Sequence, residues 1–372
     1  MGKKVHITEL EIVNLWGKEK ITVPFYEDVT LLTGVNGSGK SSLLNIIFDS
    51  LNSATKSRKP STSKNRYWSS KVKFSNEISM TTLLIPTSFD DKEFDDKVMS
   101  VLDNKENTHD FEFLKYLQTL YNEHNNDFSR SYVSYTNKEK GERWRKQLEI
   151  PEKVNSEDLR EELTKAPLGF LFQEDRMSMH NMDNASVEFT GSYWSLYKSS
   201  IDERFSYCRD FMQVLESHLD KVVAKELREA NGKFEKLLSS EEYQYATQRS
   251  EDIEDIVDLL NSYFEDSNKY LVRDEQNKFT LANIEDAEPI HWNLLSRGEK
   301  TIIYLLFSTY YYKDKVKVFI LDEPEIALHV RWQKRLIKDL VSIAPNNQFI
   351  IATHSPTLVK ENWRSKCIEV GV

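Results

Sequence analysis

The sequence predicts an α/β fold: a largely parallel sheet carrying a phosphate-gripping turn, interrupted by a mainly helical insertion. Three observations carry this expectation. "LLTGVNGSGKSSLLNIIFD", Leu31 to Asp49, reads as a buried strand, a glycine-rich turn and the first turns of a helix. Two later stretches, "KVKVFILDEPEIALH" and "NNQFIIATHSP", run four apolar residues (Val318 to Leu321, Phe349 to Ala352) straight into polar ones, as buried parallel strands do at their carboxyl ends. Between the two regions lies a long polar segment, much of it with helical periodicity.

The turn fits G-x-x-x-x-G-K-[ST] at Gly34, Gly39, Lys40 and Ser41, with Gly37 between them. Glycines let the backbone curl so that successive N–H groups face phosphate oxygens, and a helix starting near Lys40 adds the positive end of its dipole. Asn36, Gly37, Ser38, Gly39, Lys40, Ser41 and Ser42 are therefore the expected phosphate-binding set, with Asn36 chiefly shaping the loop. An ordinary Gly/Ser turn would leave the β-type run Val29 to Thr33 before it, and the amphipathic Leu43, Leu44, Ile47 and Phe48 after it, without a reason.

With 372 residues, 39% of them hydrophobic, the chain can bury one large core or two modest ones. A net charge of −10 provides no global basic field for nucleic acid, so any such contact must be local. Cys208 and Cys367, far apart and outside any C-x-x-C, argue against disulfides or a zinc site. "MGKKVHITELEIVNL" has no signal-type apolar region, and "IIYLLF" is far short of a bilayer span, so a soluble, cytoplasmic protein without membrane partners is expected.

Along the chain, "VHITELEIV", "KITVPFY" and "VTLLTG" suit a small β-subdomain feeding the loop, and "EISMTTLLIP" a further strand. Asn52 to Lys73 is a basic, aperiodic segment with Tyr67 and Trp68: a solvated loop, or a contact for nucleic acid or an acidic partner. From Ser88 to about Lys165 the chain is acidic and is expected to be helical. "APLGFLFQEDRM" ends a compact apolar run in charges, as a strand delivering Gln173 and Arg176 would, or simply a polar strand end. Tyr193 to Leu238 is again helical in pattern, without heptads or repeats. "HWNLLSRGEKTIIYLLF", His291 to Phe307, is a Ser/Gly turn opening an apolar helix, and His329 falls in the turn after the "FILDEPE" strand.

Singly these signals are weak; in the order phosphate loop, "LLSRGEK", "FILDEPE", "ATHSP" they are strong. The sequence resembles the ATP-binding-cassette ATPases, in the branch holding the structural-maintenance-of-chromosomes heads, RecF and the overcoming-lysogenization-defect (OLD) class. The resemblance spans about residues 1–86 and 270–360. It implies a P-loop NTPase of ABC/SMC-head type that binds ATP and Mg2+. In that reading Lys40 contacts the β- and γ-phosphates, and Ser41 and Asp322, with Gln173 as a Q-loop residue, hold the metal. Glu323 polarises the attacking water, and His354 senses the γ-phosphate unless it is a buried structural histidine. Ser296, Gly298 and Glu299 match the signature motif that closes over the ATP of a second protomer; Arg297 is left without a role.

The implied organisation is 1–87 as the first part of the ATPase domain, 88–270 as a mainly helical insertion with a candidate Q-loop strand at 166–173, and 271–372 as the second part. Ser296 lies 256 positions after Lys40, too far for a transporter cassette and too near for a long-armed chromosome ATPase. "DEPEIALH" is closest to OLD-like ATPases of bacterial anti-phage systems, and the eighteen residues after His354 leave no room for their Toprim nuclease. The expected function is thus an ATPase that forms a homodimer or higher oligomer through ATP-sandwiched heads. It would govern a nuclease or toxin effector supplied in trans, with DNA or RNA as a further partner. The rivals are a RecF-like repair ATPase and a transporter motor subunit.

Overall fold

The computed structural model describes residues 5–15, 18–51, 68–86, 128–137, 142–151, 168–173, 201–360 and 363–371. Arg176, Tyr67 and most of the basic segment lie outside them. The chain divides into two compact units: residues 1–172, 313–323 and 345–372 form the first, and 173–312 with 324–344 the second. These bounds differ from the sequence-based division at 87 and 270.

The first unit contains two sheets. One is antiparallel, in the order β2 (Lys18–Pro24), β1 (Ile7–Leu15), β4 (Trp68–Phe74), β5 (Ser79–Pro86), β7 (Glu142–Pro151), β6 (Phe128–Asn137). Over 128–137 and 142–151 the β6–β7 hairpin replaces the helix expected there; the remainder of the span from Ser88 to about Lys165 lies outside the described residues. "FSRSYVSYTN" is rich in aromatic and β-branched residues, and "RWRKQLEI" sets Trp144, Leu148 and Ile150 at alternate positions from Arg143, Arg145, Gln147 and Glu149, a local β pattern that overrides the helix-favouring average of the surroundings.

The second sheet has the order β13 (Cys367–Glu369), β3 (Val29–Thr33), β12 (Gln348–Ala352), β11 (Val318–Asp322), β8 (Gly169–Gln173). β13, β3, β12 and β11 are mutually parallel, with Ile350 opposite both Ile320 and Thr30. Every residue of β11 and β12 is buried, which explains why they read as unbroken apolar runs.

Helix α1 (Lys40–Leu51) packs on β11 and β12 from one side and on β4 and β5 from the other, so its apolar residues Leu43, Leu44, Ile46 and Ile47 are all at most 1% exposed. Lys146 of β7 closes its carboxyl end, with Nζ donating to the Asp49 carbonyl at 2.7 Å and standing 3.2 Å from Oδ1. A cation there complements the helix dipole. Burial still pushes the Asp49 carboxyl above its usual range, although Lys146 draws it back.

The second unit is mainly helical. Its elements are α2 (Ile201–Ala230), α3 (Phe234–Leu238), α4 (Glu241–Phe264), the hairpin β9 (Lys269–Arg273) with β10 (Phe279–Asn283), α5 (Arg297–Tyr312) and α6 (Val330–Ile343). α2 packs on α4 and α5, and α6 on α5. α5 buries all but two of its sixteen residues, as an apolar helix inside a bundle must.

Candidate functional site

Three neighbouring parallel strands deliver the site. β3, β12 and β11 end at Thr33, Ala352 and Asp322, and the residues that follow their carboxyl ends are the phosphate loop, Thr353–His354 and Glu323. That is where an open parallel sheet binds its ligand.

In the loop, Gly34, Gly37 and Gly39 have φ of +141°, +80° and +91°, conformations that side chains disfavour. A Cβ on Gly34 would stand 2.6 Å from the Val370 carbonyl, whereas one on Gly37 would meet nothing within 4 Å. The outer loop, Asn36 and Gly37, is exposed, as are Ser41 and, in part, Ser42; Ser38 and Lys40 are buried. Lys40 Nζ donates to the carbonyls of Gly34 and Val35 at 3.1 Å and lies 3.4 Å from Ser38 Oγ. α1 has no acidic residue in its first turn, so its amino end stays positive.

These features fit a phosphate: an open glycine cradle, a helix amino terminus and a buried ammonium. Burial lowers the Lys40 ammonium from its ordinary range, while Glu323 and Asp322 favour its charged form. Both carboxylates therefore act electrostatically on the cradle. Among the described residues no group of three or more His, Cys, Asp and Glu side chains could hold a metal unaided. Ser41 and Asp322 offer oxygen donors suited to Mg2+, a metal that takes its remaining ligands from phosphate and water.

Asp322 is buried at the end of β11. The alternation of an extended strand would set Glu323 on the side opposite Asp322, but Glu323 has φ +47°. The chain leaves the strand there, with the Glu323 N–H still bonded to the Ala352 carbonyl at 2.8 Å. This left-handed residue turns the carboxylate toward β12, and Oε1 lies 3.5 Å from His354 Nε2. His354 is exposed, which removes the alternative of a buried structural histidine. Its loop is fixed by the Thr353 N–H bonding the Leu32 carbonyl at 3.1 Å and by Ser355 capping the short helix α7 (Pro356–Val359).

The "LLSRGEK" turn belongs to the second unit. Ser296 and Glu299 form a capping box: the Ser296 N–H donates to Glu299 Oε2 at 2.7 Å and the Glu299 N–H to Ser296 Oγ at 3.3 Å. Glu299 Oε1 accepts from Lys269 Nζ at 2.7 Å. Burial opposes its charge, yet the bonds from Lys269 and Ser296 outweigh burial and hold its carboxyl below the usual range. Buried and bonded through both oxygens, Glu299 stabilises the turn that carries Ser296. Ser296 and Arg297 are exposed.

Gly298 is required by packing, since a Cβ would stand 2.5 Å from the Ala327 carbonyl. Gln173 ends β8, and its carbonyl accepts from Arg204 at 3.1 Å. His329 caps α6 through the Arg331 N–H. Sequence reasoning missed Lys269 and Ala327: a lysine opening a strand and an alanine in a turn carry no motif.

The sequence matches the AAA ATPase domain family over residues 6–359. It is 35% identical over 68 residues to Endonuclease GajA of Bacillus cereus (strain VD045), covering 18% of this chain and 12% of that protein. It is 33% identical over 76 residues to the Retron Vc95 probable ATPase of Vibrio cholerae serotype O1 biovar El Tor, covering 18% of this chain and 15% of that protein. The matched stretches are thus a small part of either relative. Among solved structures, an Smc head bound to the C-winged helix domain of ScpA aligns over 98% of this chain and 94% of that one, with a TM-score of 0.45 and 14% identity. The recombination mediator protein RecF with ATPrS aligns over 98% and 96%, with a TM-score of 0.41 and 14% identity. A family match spanning nearly the whole sequence agrees with a phosphate loop at the end of a parallel strand: the chain belongs to the AAA ATPase domain family and has a P-loop NTPase fold.

Proposed function

We propose that this chain binds ATP with Mg2+, hydrolyses it, and closes on a second copy of itself as it does so. The observation that carries the reading is the convergence of the loop, Asp322, Glu323 and His354 at the ends of β3, β11 and β12. Lys40 and the loop N–H groups hold phosphate oxygens, and Ser41 and Asp322 hold the metal. Mg2+, when bound, supplies positive charge that neutralises the phosphates. Glu323 takes the proton of the attacking water, and His354 keeps its carboxylate oriented. The exposed Ser296 at the amino end of α5 is the group we assign to the partner's nucleotide.

In the cell we assign the chain to a bacterial anti-phage module, as the ATPase that governs a nuclease or toxin effector in trans. This rests on the OLD-like "DEPEIALH" and is supported by the short likenesses to a protein named an endonuclease and another named a retron ATPase. No described helix is long and apolar enough to cross a membrane.

The test is Glu323→Gln. It should retain ATP affinity while turnover falls by about 10²–10⁴-fold, since the amide keeps the shape and cannot accept the proton. Wild-type turnover in the variant would refute Glu323 as the base. Failure of the neighbouring gene product to co-purify, together with turnover stimulated by gapped DNA, would favour a repair ATPase over the effector reading.

A further inference from the structure

The turn carrying Ser296 is held from both ends of one helical hairpin. The hairpin runs from the start of α2 through α3 to the end of α4 at Phe264, and its two roots are Asp202, in the first turn of α2, and Lys269, which opens β9. Each root reaches one of two adjacent residues of α5. Lys300 Nζ lies 2.6 Å from Asp202 Oδ1 and donates to the Asn293 carbonyl at 3.1 Å. Lys269 Nζ lies 2.7 Å from Glu299 Oε1, the carboxylate whose other oxygen accepts the Ser296 N–H.

The signs are crossed: one root offers an acid to a base, the other a base to an acid. Consecutive helical residues point about 100° apart. The two pairs therefore grip different faces of α5 and fix its rotation as well as its position. α2 also holds the turn upstream of Ser296, with Phe205 6.5 Å from the Trp292 ring and Arg209 5.6 Å above it; Lys300 lies 5.7 Å from the same ring. Lys269 is led in by Asn268 in a left-handed conformation, φ +53°, so its placement follows directly from where α4 ends.

We propose that Asp202 and Lys269 are positioning residues for Ser296, which transmit the posture of the α2–α4 hairpin to the turn that meets the second protomer's nucleotide. The importance of this for catalysis rests on the function proposed above; the clamp itself does not. A ligand or partner that shifts the hairpin changes turnover without touching the nucleotide.

The experiment has two arms. In nucleotide-free protein, amide hydrogen exchange over residues 296–300 should quicken about tenfold in Lys269→Met and in Asp202→Asn, and return toward wild type in Lys269→Arg and in Asp202→Glu. In steady-state kinetics the first two should lose about tenfold in kcat, with affinity for a fluorescent ATP analogue within about twofold of wild type. Unchanged exchange in both variants overturns the clamp. Faster exchange with unchanged kcat in an active wild type overturns its catalytic role. A wild type that never hydrolyses ATP refutes the proposed function instead, while the exchange arm still decides the clamp. If Lys269→Met does not fold, Asp202→Asn, at an exposed site, decides between these outcomes.

Discussion

Replacing Gly298 with alanine sets two known effects against each other. Helix propensity alone predicts a gain, since alanine inside a helix is favoured over glycine by about 1 kcal/mol. Packing predicts a loss. The new Cβ would stand 2.5 Å from the Ala327 carbonyl oxygen, 3.4 Å from its carbon and 3.6 Å from Trp332 Cζ3, so roughly 1 Å of backbone movement is needed. Neither side yields cheaply. Gly298 sits between the two members of the capping box, while Ala327 is at φ +65° in a turn closed by the Leu328 N–H on the Glu325 carbonyl and by Gln333 Nε2 on the Leu328 carbonyl, both at 3.0 Å.

Overpacking of this kind costs about 1–3 kcal/mol, and against backbone the upper part of that range applies. Net destabilisation of about 1–2 kcal/mol follows, or a fall in Tm of about 2–8 °C for a unit of this size. Thermal melts followed by circular dichroism, with urea midpoints alongside, read it directly. A variant melting at or above wild type would show that the α5 start and the 325–328 turn are not held against each other as described.

Glu323→Gly should raise stability by about 0.5–1 kcal/mol in urea, because it relieves a left-handed residue at φ +47°, while abolishing turnover; a loss of stability would mean the carboxylate is held by more than the turn. Asp49 has its carboxyl raised by burial, so its favourable share is full below the ordinary carboxylate pKa and is lost as pH climbs through the raised folded value; Lys146 moderates that rise. In Lys146→Met the loss of stability between about pH 4 and about pH 7 should therefore be larger than in wild type, as urea midpoints across that range would show. Tyr263→Phe removes a hydroxyl that donates to Asp339 Oδ2 at 2.6 Å, and should cost about 1–2 kcal/mol, less if Arg335, 2.7 Å from the same oxygen, is donor enough; calorimetric melts of the variant check it, and an unchanged Tm would refute a contribution from the hydroxyl.

The parallel core and its phosphate loop were legible because their constraints are local. A buried strand shows as four apolar residues, and a loop that curls around phosphate needs glycines at fixed positions. The β6–β7 hairpin was hidden because only β7 alternates clearly, at Trp144, Leu148 and Ile150, while the polar stretch around it has a composition that on average favours helix. Glu299 has a structural role that was legible but passed over: S-x-x-E is a capping box, and the resemblance drew attention to the signature motif instead. The pairs from Lys269 and Asp202 could not be read at all, because they join residues 30 and 98 positions apart whose proximity only the folded hairpin creates.

The order of strands in the parallel sheet constrains how the protein is made. β3, which bears the phosphate loop, has β12 and β13 as its two neighbours, and Gln348 at the head of β12 accepts from the Ile7 N–H and donates to the Ile7 and Tyr26 carbonyls, each at 2.8 Å. Both neighbours of the loop strand are thus supplied by residues 348–369. At about 5–20 residues per second, a ribosome delivers them roughly 20–70 s after β3 itself. For that interval an apolar strand and a glycine loop wait without a sheet to join, so a nascent chain gains its nucleotide cradle late, and a chain truncated before residue 348 never gains it.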